Sequence, residues 1–263
     1  MSTAQARSGA ADANGSRVVV ALDVPSLDRA RALASAVRES VGMIKVGLEL
    51  FVQAGPAAVE LGREVGRPVF LDLKLHDIPE TVDRAVARAA ALGATMLTVH
   101  AGGGRAMLKR AVERAGKEGT GLSITAVTVL TSLDAKDLAD AGVAAGAGAG
   151  ADGSVAEQVQ RLARLAWDEG VRCFVCSPHE ATPLRRILGP EATLLTPGVR
   201  AADTKSGAPA DDQKRTMSAG EAIAAGASWV VVGRPIRDAA DPAAAARAIS
   251  REVELARGCS GTA

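Results

Sequence analysis

The sequence predicts an α/β fold, a (β/α)8 TIM barrel, on three observations. Short apolar, β-branched runs recur eight times along the chain, and stretches with helical spacing separate them. The length, 263 residues, is close to the roughly 250 typical of such a barrel.

The eight runs, in order, are "RVVVALD" (17–23), "GMIKVGL" (42–48), "PVFLDLK" (68–74), "ATMLTVH" (94–100), "LSITAVTVL" (122–130), "VRCFVCS" (171–177), "ATLLTPG" (192–198) and "SWVVVGR" (228–234). They are nearly continuous in apolar residues, as parallel strands buried on both faces are. The segments between them, such as "SLDRARALASAVRES" and "TVDRAVARAAALG", carry apolar residues at helical spacing and end near Gly. A doubly wound open sheet is the alternative. Its G-x-G-x-x-G turn after the first strand is missing, because the first run leads into "LDVPSLDRA", and "AGGG" at 101–104 lacks that spacing.

Residues 1–16, "MSTAQARSGAADANGS", read as a disordered N-terminal tail, 17–257 as a single catalytic barrel domain and 258–263 as a C-terminal tail. Two long segments follow strands on the face where barrels place their active sites, and both read as lids. One is 131–153 with its "AAGAGAGADG" tract; the other is 199–215, "VRAADTKSGAPADDQKR".

Thirty-one basic and 30 acidic side chains leave a net charge of +1, with no Tyr, two Trp and three Phe. Neither a one-signed field nor an aromatic platform points to nucleic acid. No apolar run approaches the roughly 18–20 residues of a membrane span. A small charged ligand is the expected partner, and the cytoplasm the expected compartment. Cys173 and Cys176 in "CFVC" fall on opposite faces of a strand, which argues against a redox or zinc pair.

Charges stand where burial is expected. Asp72 and Lys74 are two apart on the third strand and so share a face. Asp77 follows in the loop, Asp23 ends the first strand, and Lys45 sits inside "MIKVGL". Asp77 alone also suits a helix N-cap, with Pro79 and Glu80 after it. Desolvating the whole set costs several kcal/mol per ion, so convergence at the barrel mouth for function is the better reading. Late in the chain, Arg200 in "TPGVR", Gln213 in "DDQKR" and Gly233 with Arg234 in "VVVGRPI" suit a phosphate site built from the last two strand loops. His76, His100 and His179 show no metal-ligand spacing and read as hydrogen-bonded structural groups.

The stretch "LDLKLHDIPETV" resembles the D-x-K-x-x-D-I-P-x-T signature of the orotidine 5'-monophosphate decarboxylase family. "ALDVPS", "IKVGLEL", "VHAGGG", "AVTVLTS", "VCSPHEA", "TPGVR", "DDQKR" and "VVGRPI" extend the resemblance over most of the chain. It implies that Asp23 and Lys45 bind ribose hydroxyls and that Asp72 and Lys74 sit at the reacting carbon. It implies a homodimer in which Asp77 and Thr81 enter the neighbouring subunit's site. Thr131 would contact the pyrimidine, and Arg200, Gln213, Gly233 and Arg234 the 5'-phosphate. No cofactor and no metal are implied. The chain departs from the family in "TMSAGEA", where relatives commonly carry Thr-Pro, and in a longer Gly/Ala tract at 141–151. Two rivals are a metal-dependent phosphosugar enzyme on the same barrel and a non-catalytic phosphate-ligand binder.

Overall fold

The computed structural model describes residues 15–143, 155–200 and 217–260. Most of the tail at 1–16, most of the Gly/Ala tract and the 201–215 segment with Gln213 lie outside the described residues, as do 261–263.

The elements alternate as the sequence predicts. They run β1 (Val18–Ala21), α1 (Leu27–Val37), β2 (Met43–Gly47), α2 (Leu48–Ala54), α3 (Pro56–Val65), β3 (Val69–Leu75), α4 (Pro79–Ala91) and β4 (Met96–His100). Then follow α5 (Gly104–Glu118), β5 (Ser123–Val127), α6 (Ala135–Asp140), α7 (Val155–Asp168), β6 (Cys173–Val175), α8 (Pro178–Leu188) and β7 (Thr193–Thr196). The chain closes with β8 (Val199–Arg200), β9 (Met217–Ser218), α9 (Ala219–Ala224), β10 (Trp229–Val232), α10 (Arg234–Arg237) and α11 (Pro242–Ser260). Eight strands close a parallel barrel in the order β1-β10-β7-β6-β5-β4-β3-β2, and β8 and β9 form a separate small pair.

The period of two along each strand sorts side chains between two cores. Val19, Met43, Phe70, Met96, Leu195 and Trp229 fill the barrel interior, while Val18, Val20, Ile44, Leu71 and Leu97 face the helices. Trp229 begins β10, and the Arg17 guanidinium lies 5.0 Å over its ring at the strands' N-terminal end. Cys173 belongs to the inner cluster and Cys176 to the outer one, so the two thiols face opposite ways as expected; both are free.

Helix starts follow local chemistry. The Ser26 side chain accepts the Arg29 N–H at the head of α1, and Pro56 opens α3, where a missing N–H costs nothing. Gly66 ends α3 in the left-handed region at φ 66°, a position that favours Gly. The "TMSAGEA" departure keeps its helix start, because Ser218 caps α9 and Glu221 returns a carboxylate to the Ser218 N–H at 2.8 Å. Ser16 is buried, and its hydroxyl donates to the Ser40 carbonyl at 3.0 Å. Among the described residues no helix is long and apolar enough to cross a membrane.

Candidate active site

The C-terminal mouth of the barrel gathers the charges. Lys45 Nζ lies 2.8 Å from Asp23 Oδ1 and 3.8 Å from Asp72 Oδ2. Lys74 Nζ contacts both Asp72 oxygens at 2.8 Å. Acid and ammonium thus alternate along Asp23, Lys45, Asp72 and Lys74. The middle pair is the driest: the side chains of Lys45 and Asp72 are 10% and 13% exposed. Each buried charge has an opposite partner, which is the condition for keeping it ionised away from water.

Strand β3 reaches this arrangement through an irregularity. Leu71 pairs with Leu97 and Leu75 with Val99, so Asp72, Leu73 and Lys74 stand opposite Thr98 alone. Two extra residues leave the in–out parity intact: Phe70 still faces the interior, while Leu71 and Leu75 face the helices. Lys74 takes φ 50°, the one non-glycine in the left-handed region among the described residues. Bulges of this kind re-aim side chains beside active sites.

The other predicted residues fall as follows. Asp77 is exposed, and its Oδ1 accepts the Ile78 N–H at 2.6 Å. Ile78, not Asp77, occupies the N-cap of α4, so the capping alternative is not realised. Thr81 is exposed on the first turn of α4, and Thr131 lies half-buried in the loop after β5. Gly233 and Arg234 follow β10 at the mouth, with Arg234 exposed. Arg200 pairs by its backbone with Ser218; its side chain, like Gln213, is outside the described set.

The histidine expectation is corrected. No imidazole of His76, His100 or His179 hydrogen-bonds to another described residue; instead the His76 and His100 rings face each other at 5.3 Å. Burial, then His76 and Lys74, push the His100 imidazole below its ordinary value. Hydrogen-bond partners come from distant strands, and residue type alone did not supply them.

Sequence reasoning missed three contributors. Thr98 donates its hydroxyl to Asp72 Oδ1 at 3.0 Å and accepts the Lys74 N–H at 2.7 Å. Its inward position was available from the parity of Met96, Thr98 and His100 on one strand. Gly47 leaves room for the first ion pair: a Cβ there would stand 2.7 Å from Asp23 Oδ1 and 2.8 Å from Lys45 Nζ. Arg237 donates from Nη1 to the Asp23 carbonyl at 2.9 Å, tying α10 to the end of β1; nothing in the sequence marked that contact.

A second concavity, about 450 Å³, lies on the outer helices against Asp83, Arg84, Arg88 and Arg114. Asp83 is already engaged by Arg114 at 2.6 Å, so this surface reads as a structural charge network. The mouth is the better candidate for chemistry.

Comparison with known proteins points the same way. The model of the orotidine 5'-phosphate decarboxylase / HUMPS family matches residues 16–249. A protein from Anaeromyxobacter sp. (strain K) named orotidine 5'-phosphate decarboxylase is 53% identical over 89% of this chain and 96% of its own length. One of the same name from Rhodopseudomonas palustris (strain HaA2) is 48% identical over 93% and 97%. The crystal structure of orotidine 5'-phosphate decarboxylase from Lactobacillus acidophilus superposes with a TM-score of 0.74 at 34% identity, covering 90% of this chain and 99% of that one.

Proposed function

The chain belongs to the orotidine 5'-phosphate decarboxylase / HUMPS family and converts orotidine 5'-monophosphate to UMP and CO₂ in pyrimidine biosynthesis, and we propose that Lys74 carries the chemical step. The observation that supports this reading is the alternating Asp23–Lys45–Asp72–Lys74 chain at the barrel mouth.

Breaking the bond between C6 and the carboxylate leaves an electron pair in the plane of the pyrimidine, where the ring π-system does not accept it. Fixed charge in a water-poor site is the means to lower that barrier. The Lys74 ammonium faces the developing carbanion and then gives it a proton; solvent returns the proton to the amine. At ~4 Å a unit charge pair is worth about 4 kcal/mol at an effective dielectric of ~20, so one ammonium is part of the acceleration and not all of it. Asp72 stands beside the substrate carboxylate and disfavours it relative to the departing CO₂. Asp23 and Lys45 take the ribose hydroxyls, and Thr131 takes the pyrimidine. Arg200, Gln213, Gly233 and Arg234 hold the 5'-phosphate, whose binding energy presses the reacting end into the charged cluster.

The site is completed by a second subunit. Among the described residues Asp77 pairs with no cation of its own chain, and it stands beside Ile78, 66% exposed. Leu48 and Val52, 52% and 82% exposed on α2 after the neighbouring strand, are further exposed apolar side chains, which suit a homodimer contact. Asp77 and Thr81 then enter the partner's site, where the Asp77 carboxylate faces the Lys74 ammonium.

A metal-dependent sugar-phosphate reaction fits less well, since the Lys45 ammonium occupies the space between Asp23 and Asp72 that a cation would need. A reducing cytoplasm suits the free, buried thiols of Cys173 and Cys176. The test is loss of the orotate ultraviolet band with EDTA present. Lys74→Ala is expected to abolish it while still binding UMP; normal turnover by that variant removes Lys74 from the role.

A further inference from the structure

We propose that Thr98 is a positioning residue for the decarboxylation: its hydroxyl locks the β3 bulge so that Asp72 and Lys74 meet the reacting carbon in one fixed arrangement. This rests on the assignment of Asp72 and Lys74 to that carbon.

The bulge takes the Lys74 N–H out of the regular ladder with β4, and a buried N–H needs an acceptor. Thr98 Oγ1 supplies it at 2.7 Å. An N–H only donates, so the single hydroxyl proton of Thr98 is free to go to Asp72 Oδ1, 3.0 Å away. One oxygen therefore grips the main chain of the lysine and the side chain of the aspartate together. Thr98 is fully buried, so water does not reach its hydroxyl. Its branched Cβ restricts χ1, which keeps the oxygen between the two.

The lock matters because the neighbouring contacts are mobile in function. The Lys74 ammonium rests on both Asp72 oxygens; in the reaction it turns to C6. Asp72 then loses a partner, and a carboxylate on a flexible stem would swing after the ammonium or towards Lys45, 3.8 Å away. The Thr98 hydroxyl holds it beside the substrate carboxylate. The same hydroxyl stabilises the left-handed backbone of Lys74 at φ 50°, a conformation that L-residues otherwise avoid. A residue acting this way sets the geometry of the transition state and leaves ribose and phosphate contacts alone.

Thr98→Val keeps the shape and removes the hydroxyl; Thr98→Ser keeps the hydroxyl and removes the methyl. Measured on the intact protein, Thr98→Val is expected to lower kcat about 10- to 100-fold, the range for losing a hydrogen bond to a charged group. KM and the Kd for UMP should stay within about threefold, because both report contacts away from C6. Thr98→Ser should recover kcat to within about fivefold of the parent. Unchanged kcat in Thr98→Val overturns the proposal, as does a Thr98→Ser variant as slow as Thr98→Val. Loss of UMP binding in step with kcat overturns it too, since that marks general damage. If Thr98→Val does not fold, Thr98→Ala replaces it, and equal kcat in the Ala and Ser variants overturns the proposal. Parent protein that leaves the orotate band unchanged would sink the assigned reaction itself, a separate result read before any variant.

Discussion

Gly47→Ala isolates the ion pair between Asp23 and Lys45 without touching either residue. Gly47 has φ −96°, open to any L-residue, so the backbone accepts Ala unstrained. The added methyl would stand 2.7 Å from Asp23 Oδ1 and 2.8 Å from Lys45 Nζ, and van der Waals contact requires each to retreat by most of an ångström. Both atoms end flexible side chains, so the fold gives way cheaply, and a Tm shift of no more than about 2–4 °C is expected. The site does not give way cheaply. Stretching a unit pair by ~1 Å from contact weakens it by roughly 1.5 kcal/mol at an effective dielectric of ~20, a little over tenfold in an equilibrium. Asp23 is 39% exposed, and solvent screening cuts that figure, which leaves roughly three- to tenfold. The assay is initial-rate loss of the orotate band over a range of substrate concentrations. A three- to tenfold fall in kcat/KM, mostly through KM, is the expected result. Parental kcat/KM, with the pair shown crystallographically to have moved, would refute the assignment of Asp23 and Lys45 to ribose.

Lys74→Ala and Asp77→Asn, each inactive alone, should partly restore turnover when mixed, because one site of the heterodimer keeps both native groups; no recovery after verified subunit exchange counts against the shared site. Burial and the neighbouring cations hold His100 below its ordinary value, so folding favours the neutral ring. That contribution is full above the unfolded value of about 6.5 and fades as pH falls towards the lower folded value; His100→Asn should flatten the urea midpoint between pH 7 and 5, and an unchanged slope rejects this. Arg114 holds the Asp83 carboxyl below the carboxylate range, a contribution present above about pH 3.9 and lost on further acidification, so Asp83→Asn should be weaker than the parent at neutral pH and converge with it in acid. Burial pushes the Cys173 thiol up to about 11 and Cys176 to about 12; in a Cys259→Ser background, iodoacetamide at pH 8 should label neither until the chain is unfolded, and rapid labelling of the native protein contradicts their burial.

Much of this molecule was legible in the linear chain. Eight apolar runs became eight barrel strands, because burial on both faces writes itself into composition. Strand parity turned Lys45 and Asp72 inward and separated Cys173 from Cys176, because alternation belongs to a single strand. The resemblance carried by "LDLKLHDIPETV" singled out Lys74 before any coordinate.

What remained hidden was relational. The third run shows no break between Leu71 and Leu75; its two extra residues exist only against Leu97 and Val99 of the next strand. The left-handed Lys74, the double grip of Thr98, the space kept by Gly47 and the hold of Arg237 on Asp23 all join segments far apart in the chain. Side-chain direction is local chemistry, so the residues alone determined which groups face the barrel interior. Register is a property of two strands at once, so only closure of the barrel decided how those groups meet.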